Sequence, residues 1–179
     1  MTQSAIDELL AKQEITELLY RYCRGIDRLD WELVRSCYHD DAFDDHSIFR
    51  GSPDEFVAFF REMLTPMEAT THTLGNILIR VDGDVAGSES YILAWHRLPA
   101  DGATPPQDFT ASGRYVDRLE RHNGTWRIMH RTVVFDWTRI EPLGAEFPVP
   151  PDVEPVWGRR DRDDLSYAAL EHRRLPVGA

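Results

Sequence analysis

Residues Glu14 to Asp30 read EITELLYRYCRGIDRLD. Ile15, Leu18, Leu19, Tyr22 and Ile26 recur at helical spacing, so one face of a helix lies against a core. Near the end of that face comes an acid, Asp27, just after Gly25. An acid where an apolar stripe runs out is either a terminal or capping residue or a carboxylate at the rim of a buried cavity. In the second setting burial raises its pKa and equips it as a base or as the partner of a histidine. The local sequence leaves both readings open.

Working outward, Ser4 with Asp7 three residues on reads as a capping box opening this helix, which runs to about Ile26. Asp30 can cap a second helix, WELVRSCYHD, with Trp31, Val34 and Tyr38 at helical spacing. DDAFDDHSIFRG is a short strand candidate, with Ala42, Asp44 and His46 on one face and Phe43, Asp45 and Ser47 on the other. Ser52-Pro53-Asp54-Glu55 starts a third helix that ends before Pro66. The period then changes from 3.6 to 2. His72–Val81 and Val85–Arg97 flank the hairpin signal Asp82-Gly83-Asp84, and Phe109–Arg121 and Thr125–Ile140 flank His122-Asn123-Gly124. Three helices followed by a meander of long antiparallel strands predict an α+β fold, its sheet curved around the first helix.

The composition suits one domain of residues 1–140 followed by an extension, 141–179. That extension holds six of the eleven prolines, too many for continuous helix or a central strand. Only Asp164–Arg174 could form a short helix there, and the segment reads as a lid, a subunit-contact arm or a surface extension. With 42% hydrophobic and 28% charged residues the 179-residue chain is ordinary for a globular protein. A net charge of −11 argues against nucleic acid and against anionic membranes as partners. No apolar run approaches a membrane span, the N-terminal MTQSAIDELLAKQ lacks an apolar signal core, and Cys23 and Cys37 provide no disulfide framework. A cytoplasmic setting is therefore expected.

Several constellations could carry chemistry. His72, Leu74, Asn76 and Leu78 share one face of a strand. An imidazole held by a carboxylate is a better base, because the carboxylate stabilises the imidazolium that forms. Asp27 is the attractive partner, since helix and sheet must pack together. Asp44 and His46 face one side and invite a metal reading, but no HExxH, HxH or EF-hand-like spacing accompanies them, and no metal is expected. Phosphate-binding glycine loops and a nucleophile elbow are also missing, so nucleotide cofactors and acyl-enzyme chemistry are not expected. Arg131 and Asp136 read as a structural ion pair or as residues at a cavity mouth, where an arginine could stabilise an oxyanion. Trp95 and Phe135 are among the aromatic residues that could line a pocket for a flat molecule.

The segments YRYCRGID (Tyr20 to Asp27), THTLGN around His72, and GRYVDRLERHNGTWRIMHR (Gly113 to Arg131) resemble the SnoaL-like branch of the nuclear transport factor 2-like superfamily. Its lyases include scytalone dehydratase, hexachlorocyclohexane dehydrochlorinase and bile acid 7α-dehydratase. The resemblance covers about residues 5 to 140 and implies a cone-shaped α+β barrel, a curved antiparallel sheet around a deep apolar pocket. It also implies an Asp–His dyad that abstracts a proton without metal or cofactor. By motif, Asp27 matches the dyad acid and His72 the strand histidine. Tyr22 matches a tyrosine of the 7α-dehydratase pocket, and His46 falls where that enzyme has another tyrosine. The sequence departs at the pocket aspartate of that enzyme, where it offers Leu93, Ala94 or Trp95, and at its late-strand arginine, which falls near Phe135 rather than Arg131.

The expectation is a cofactor-independent lyase, a dehydratase or related elimination enzyme, acting on a small hydrophobic, cyclic or aromatic substrate. Asp27, His72 and Tyr22 are the catalytic candidates; His46, Asp44, Trp95, Asn76, Arg131 and Phe135 are the substrate-binding ones. Water, halide or a carbon fragment would leave with help from Tyr22 or His46 as hydrogen-bond donor. Alternatives are an aldol-type carbon–carbon lyase releasing a small aldehyde, a double-bond isomerase, and a non-catalytic ligand-binding or dioxygenase small-subunit-like protein. The resemblance further implies a homo-oligomer, a trimer in preference to a dimer.

Overall fold

A computed structural model describes residues 2–145 and 148–175, so Met1, Glu146, Phe147 and the last four residues of the extension lie outside the described residues. Helix α1 spans Gln3–Asp27, α2 Trp31–Ser36, α3 Pro53–Leu64 and α4 Leu165–Leu170. The strands are β1 Tyr38–Asp45, β2 Arg50–Gly51, β3 Ala69–Asp82, β4 Val85–Leu98, β5 Gln107–His122 and β6 Thr125–Pro142. They form one curved, unclosed sheet in the order β2-β1-β6-β5-β4-β3, the cone-like α+β architecture expected. The four long strands pair antiparallel as a meander, whereas β1 joins β6 in parallel, so the sheet is mixed.

Helix α1 buries Ile15, Leu18, Leu19, Tyr22 and Ile26, the stripe read from its spacing. They pack in one core with Tyr115, Leu119, Trp126 and Ile128 of the sheet. Burial of each large apolar side chain contributes roughly 1.5–3 kcal/mol, far more than helix propensity, so this face holds α1 in place. Gly25 is required by close approach: a Cβ there would stand 2.7 Å from Val34 Cγ2 of α2.

Three local expectations are corrected. The cap of α1 is Thr2, whose hydroxyl accepts from Ala5 N–H, because the helix begins one residue before Ser4 and places Ser4 inside the first turn. Helix α2 stops at Ser36 instead of continuing to Asp40. The Cys37 carbonyl is taken by Ile128 N–H of β6, and sheet pairing claims the chain from Tyr38 onward. The face begun at His72 does not continue through Asn76 and Leu78: the register of β3 against β4 shifts between Leu74 and Ile77, leaving Asn76 and Leu78 exposed while Ile77 and Ile79 turn toward the core. Elsewhere the turn chemistry holds. Asn123 and Gly124 both adopt positive φ between paired His122 and Thr125, and Ser52 with Glu55 forms a reciprocal capping box on α3. Among the described residues, no helix is long and apolar enough to cross a membrane.

Candidate active site

Asp27 is the last residue of α1, and its carboxylate meets the start of β3. Its Oδ1 accepts from His72 Nδ1–H at 2.7 Å and from Thr70 Oγ1–H at 2.9 Å, and its Oδ2 accepts the backbone N–H of His72 at 2.9 Å. A carboxylate can only accept here, so Nδ1 carries the proton and Nε2 is the free nitrogen of the ring. Burial works to raise the Asp27 carboxyl. The hydrogen bond and charge of His72, its backbone N–H and the Thr70 hydroxyl outweigh that, and the pKa lies below the ordinary carboxylate value. Asp27 is thus an ionised orienting group.

The His72 ring lines an apolar cavity of about 480 Å³ between the helices and the inner face of the sheet. Its walls include Tyr22, Ile26, Phe56, Phe60, Phe109 and Tyr115. Among the described residues, the lining carries no lysine, arginine or carboxylate, and three of its polar groups are the imidazoles of His46, His72 and His96. A neutral ligand fits such a lining, since an anion would be desolvated without a fixed cation beside it.

The sequence reading overlooked His96. It lies on β4 opposite Thr70, with its ring 5.2 Å from that of His72 and at 88° to it. Its Nδ1 is buried without a hydrogen-bond partner among the described residues. Burial, reinforced by the charge of His72, pushes its pKa down to about 3, so it is neutral at physiological pH. The signal was present: Ile92, Ala94 and His96 alternate along β4, and this is the face the cavity takes. Trp95, the residue named from the sequence, lies on the opposite face.

His46 closes another part of the wall, between the rings of Phe56 and Phe60 at 5.1 and 5.0 Å. Its Nδ1 is hydrogen-bonded to Oδ1 of Asp44, which is fully buried and whose Oδ2 accepts from the Tyr38 hydroxyl at 2.6 Å. Asp44 therefore stands behind His46 and does not line the cavity. No group of three metal-ligating side chains occurs among the described residues.

The cavity takes in Asp27's partner His72, Tyr22, His46 and Phe135, the last 43% exposed at the rim. Besides Asp27 and Asp44, which stand behind the two histidines, it leaves out three candidates. Trp95 lies on the outer face of β4 beneath the Arg97 guanidinium, 5.2 Å from its ring, because its neighbours Ala94 and His96 take the inner face. Asn76 is turned out by the register shift in β3. Arg131 is wholly buried behind the cavity, clamped by Asp117 through Nε and Nη2 at 2.7 Å each and held between the rings of Tyr22 and Tyr115. Its expected partner Asp136 pairs instead with Arg114, at 3.4 Å. Burial raises the Tyr22 phenol above its ordinary value, so that hydroxyl stays protonated.

The extension packs against the dyad end of α1. Arg160 donates to the carbonyls of Leu64 and Met67, both cavity residues, Tyr167 donates to Asp30 at 3.0 Å, and Arg24 donates to Ser166 at 2.9 Å.

The SnoaL-like domain family matches residues 7–132. Among solved structures, a type 2 hexachlorocyclohexane dehydrochlorinase superposes with a TM-score of 0.69 at 21% identity, over 83% of this chain and 99% of that one. A scytalone dehydratase-like protein from Novosphingobium aromaticivorans gives a TM-score of 0.66 at 20% identity, over 83% and 97%. A Mycobacterium tuberculosis protein of unknown function gives 0.63 at 25% identity, over 74% and 75%. No curated protein matches the chain by sequence.

Proposed function

This chain belongs to the SnoaL-like family of the nuclear transport factor 2-like superfamily, and from that premise we propose that it is a cofactor-independent lyase. The substrate is a small, neutral, hydrophobic molecule, cyclic or aromatic, with an activated C–H bond. Dehydratase- and dehydrochlorinase-type structures among the fold neighbours support an elimination. One observation carries the reading: His72, hydrogen-bonded through Nδ1 to Asp27, presents its ring to an apolar cavity.

In the proposed mechanism Nε2 of His72 takes the proton from the activated carbon. Asp27 fixes the tautomer and orientation of the ring and stabilises the imidazolium, an interaction that strengthens as charge develops. The cavity walls beside His72 are mostly apolar, which makes the pair's electrostatics stronger than in open water. Indan-1-one, a bicyclic ketone with an activated C–H and no leaving group, tests this step alone through deuterium exchange from solvent D2O. The wild-type chain should catalyse exchange, and His72→Ala should lower the rate by about 10²-fold or more. A rate unaffected by that substitution would remove His72 from the mechanism.

His96 supports a second reading. His72 could return the abstracted proton to another carbon, which is double-bond isomerisation, with neutral His96 5.2 Å away as a hydrogen-bond partner for the intermediate. Release of a small product from the substrate distinguishes elimination from this alternative.

A further inference from the structure

The cavity is served by two histidine–carboxylate pairs, on different elements. Asp27–His72 joins the end of α1 to β3, and Asp44–His46 lies at the end of β1. Both rings line the same cavity, and in both the Nδ1 is bound by a buried carboxylate, leaving Nε2 as the free nitrogen. Among the described residues, no arginine or lysine is hydrogen-bonded to Asp44. Its register partner across the sheet is Arg131, but Nε and Nη2 of that guanidinium are taken by Asp117. The donors to Asp44, again among the described residues, are the Tyr38 hydroxyl and His46.

The backbone holds this second pair in place. His46 donates its N–H to the Phe49 carbonyl at 2.9 Å, and the next residue, Ser47, sits at φ 64 although it is not a glycine. A non-glycine residue in that region costs of order 1 kcal/mol and persists where surrounding structure demands it. Here the turn aims the His46 ring inward, between Phe56 and Phe60.

We propose that His46 is the proton donor of the elimination, a catalytic residue distinct from the base, with Asp44 as its positioning residue. This rests on the reading of His72 as the base. The C–H bond breaks as its proton passes to His72 Nε2, and its electron pair becomes the new C=C bond. The C–O bond breaks toward oxygen, which takes the Nε2 proton of His46 in its imidazolium form, whose Nδ1–H stays on Asp44, and leaves as water. His72 then returns a proton to solvent and His46 recovers one, so substrate yields alkene and water with no net change in the enzyme. Separating donor from base in this way suits a poor leaving group such as hydroxide, which needs a proton, more than chloride, which does not.

Leaving-group dependence provides the test. Turnover of 3-hydroxyindan-1-one and of 3-chloroindan-1-one is measured for the wild-type chain, for His46→Phe, which matches the aromatic surroundings, and for Asp44→Asn, which keeps the side-chain shape. In both variants the loss on the hydroxy ketone should exceed the loss on the chloro ketone by about 100-fold. Equal losses on the two ketones, or none on either, would overturn the assignment, since a merely structural role cannot tell the leaving groups apart. Deuterium exchange at indan-1-one separates the base from the donor. Exchange by the wild-type chain with equal losses in the variants rejects His46 as donor and leaves His72 as base. A wild-type chain that neither exchanges nor eliminates with any of the three ketones refutes the lyase reading and the donor with it.

Discussion

His72 and His96 are the same side chain on adjacent strands of one sheet, their rings 5.2 Å apart and both on one cavity. They differ in what stands behind them. His72 has the Asp27 carboxylate on its Nδ1, held in turn by Thr70 and by the His72 backbone, whereas the buried Nδ1 of His96 has no partner among the described residues. Burial alone makes an imidazole a neutral, poor proton acceptor; a paired carboxylate makes it one that can bear charge. The contrast locates basicity in the partner, and the partner comes from α1, not from the sheet.

The largest expected effect of breaking that contrast is kinetic. His72→Ala and Asp27→Asn should each lower turnover of 3-hydroxyindan-1-one by about 10²–10⁴-fold. His96→Ala, which removes one hydrogen-bonding group, should cost roughly tenfold or less. Comparable losses at the two histidines would abolish the distinction.

The next effect is on stability against pH. His96 has a folded pKa of about 3 against an ordinary 6.5, so below pH 6.5 the unfolded chain binds a proton that the folded chain refuses. Its contribution is fully present above pH 6.5 and is lost as pH falls toward 3, at about 1.4 kcal/mol per pH unit for one group. Asp27, also depressed, begins to lose its contribution only below its ordinary value of 3.8. Urea unfolding across pH 4 to 7 should therefore show a slope that His96→Leu flattens and Asp27→Asn leaves in place.

The smallest effect is at Thr70. Replacing it with Val keeps the shape and removes one donor to Asp27, which should cost about 0.5–1.5 kcal/mol in denaturant unfolding. The Asp27 carboxyl should also titrate higher, as followed by carboxyl NMR shifts. An unchanged titration would mean that His72 alone holds the carboxylate ionised.

Much of the frame was legible in the chain. The α1 stripe, the α3 capping box, both hairpin turns and the alternation placing Ala42, Asp44 and His46 together depend on neighbours within a few residues, and the folded molecule keeps them. Apart from the cap of α1, which is Thr2 and not Ser4, the errors came where distant pairing overrides local pattern. Parallel pairing with β6 ended α2 early, and a register shift turned Asn76 outward. Trp95 and His96 illustrate the same limit within one strand. Alternation says that they face opposite ways but not which face is inner, and that choice belongs to the packing of α1 on the sheet.

Asp27 marks the boundary between the two kinds of information. Periodicity alone placed an acid at the end of an apolar stripe, as a cap or as a rim carboxylate. The 2.7 Å contact with His72, 45 residues away, exists because the sheet curves its β3 edge onto the end of α1. The pairing of Arg131 with Asp117 in place of Asp136, the solitary buried Nδ1 of His96, and the Asp44–His46 pair facing the same cavity were decided at that level too. Spacing along a chain indicates which residues share a face, whereas strand register, hydrogen-bond partners and dielectric surroundings depend on which faces are brought together, and those set the chemistry.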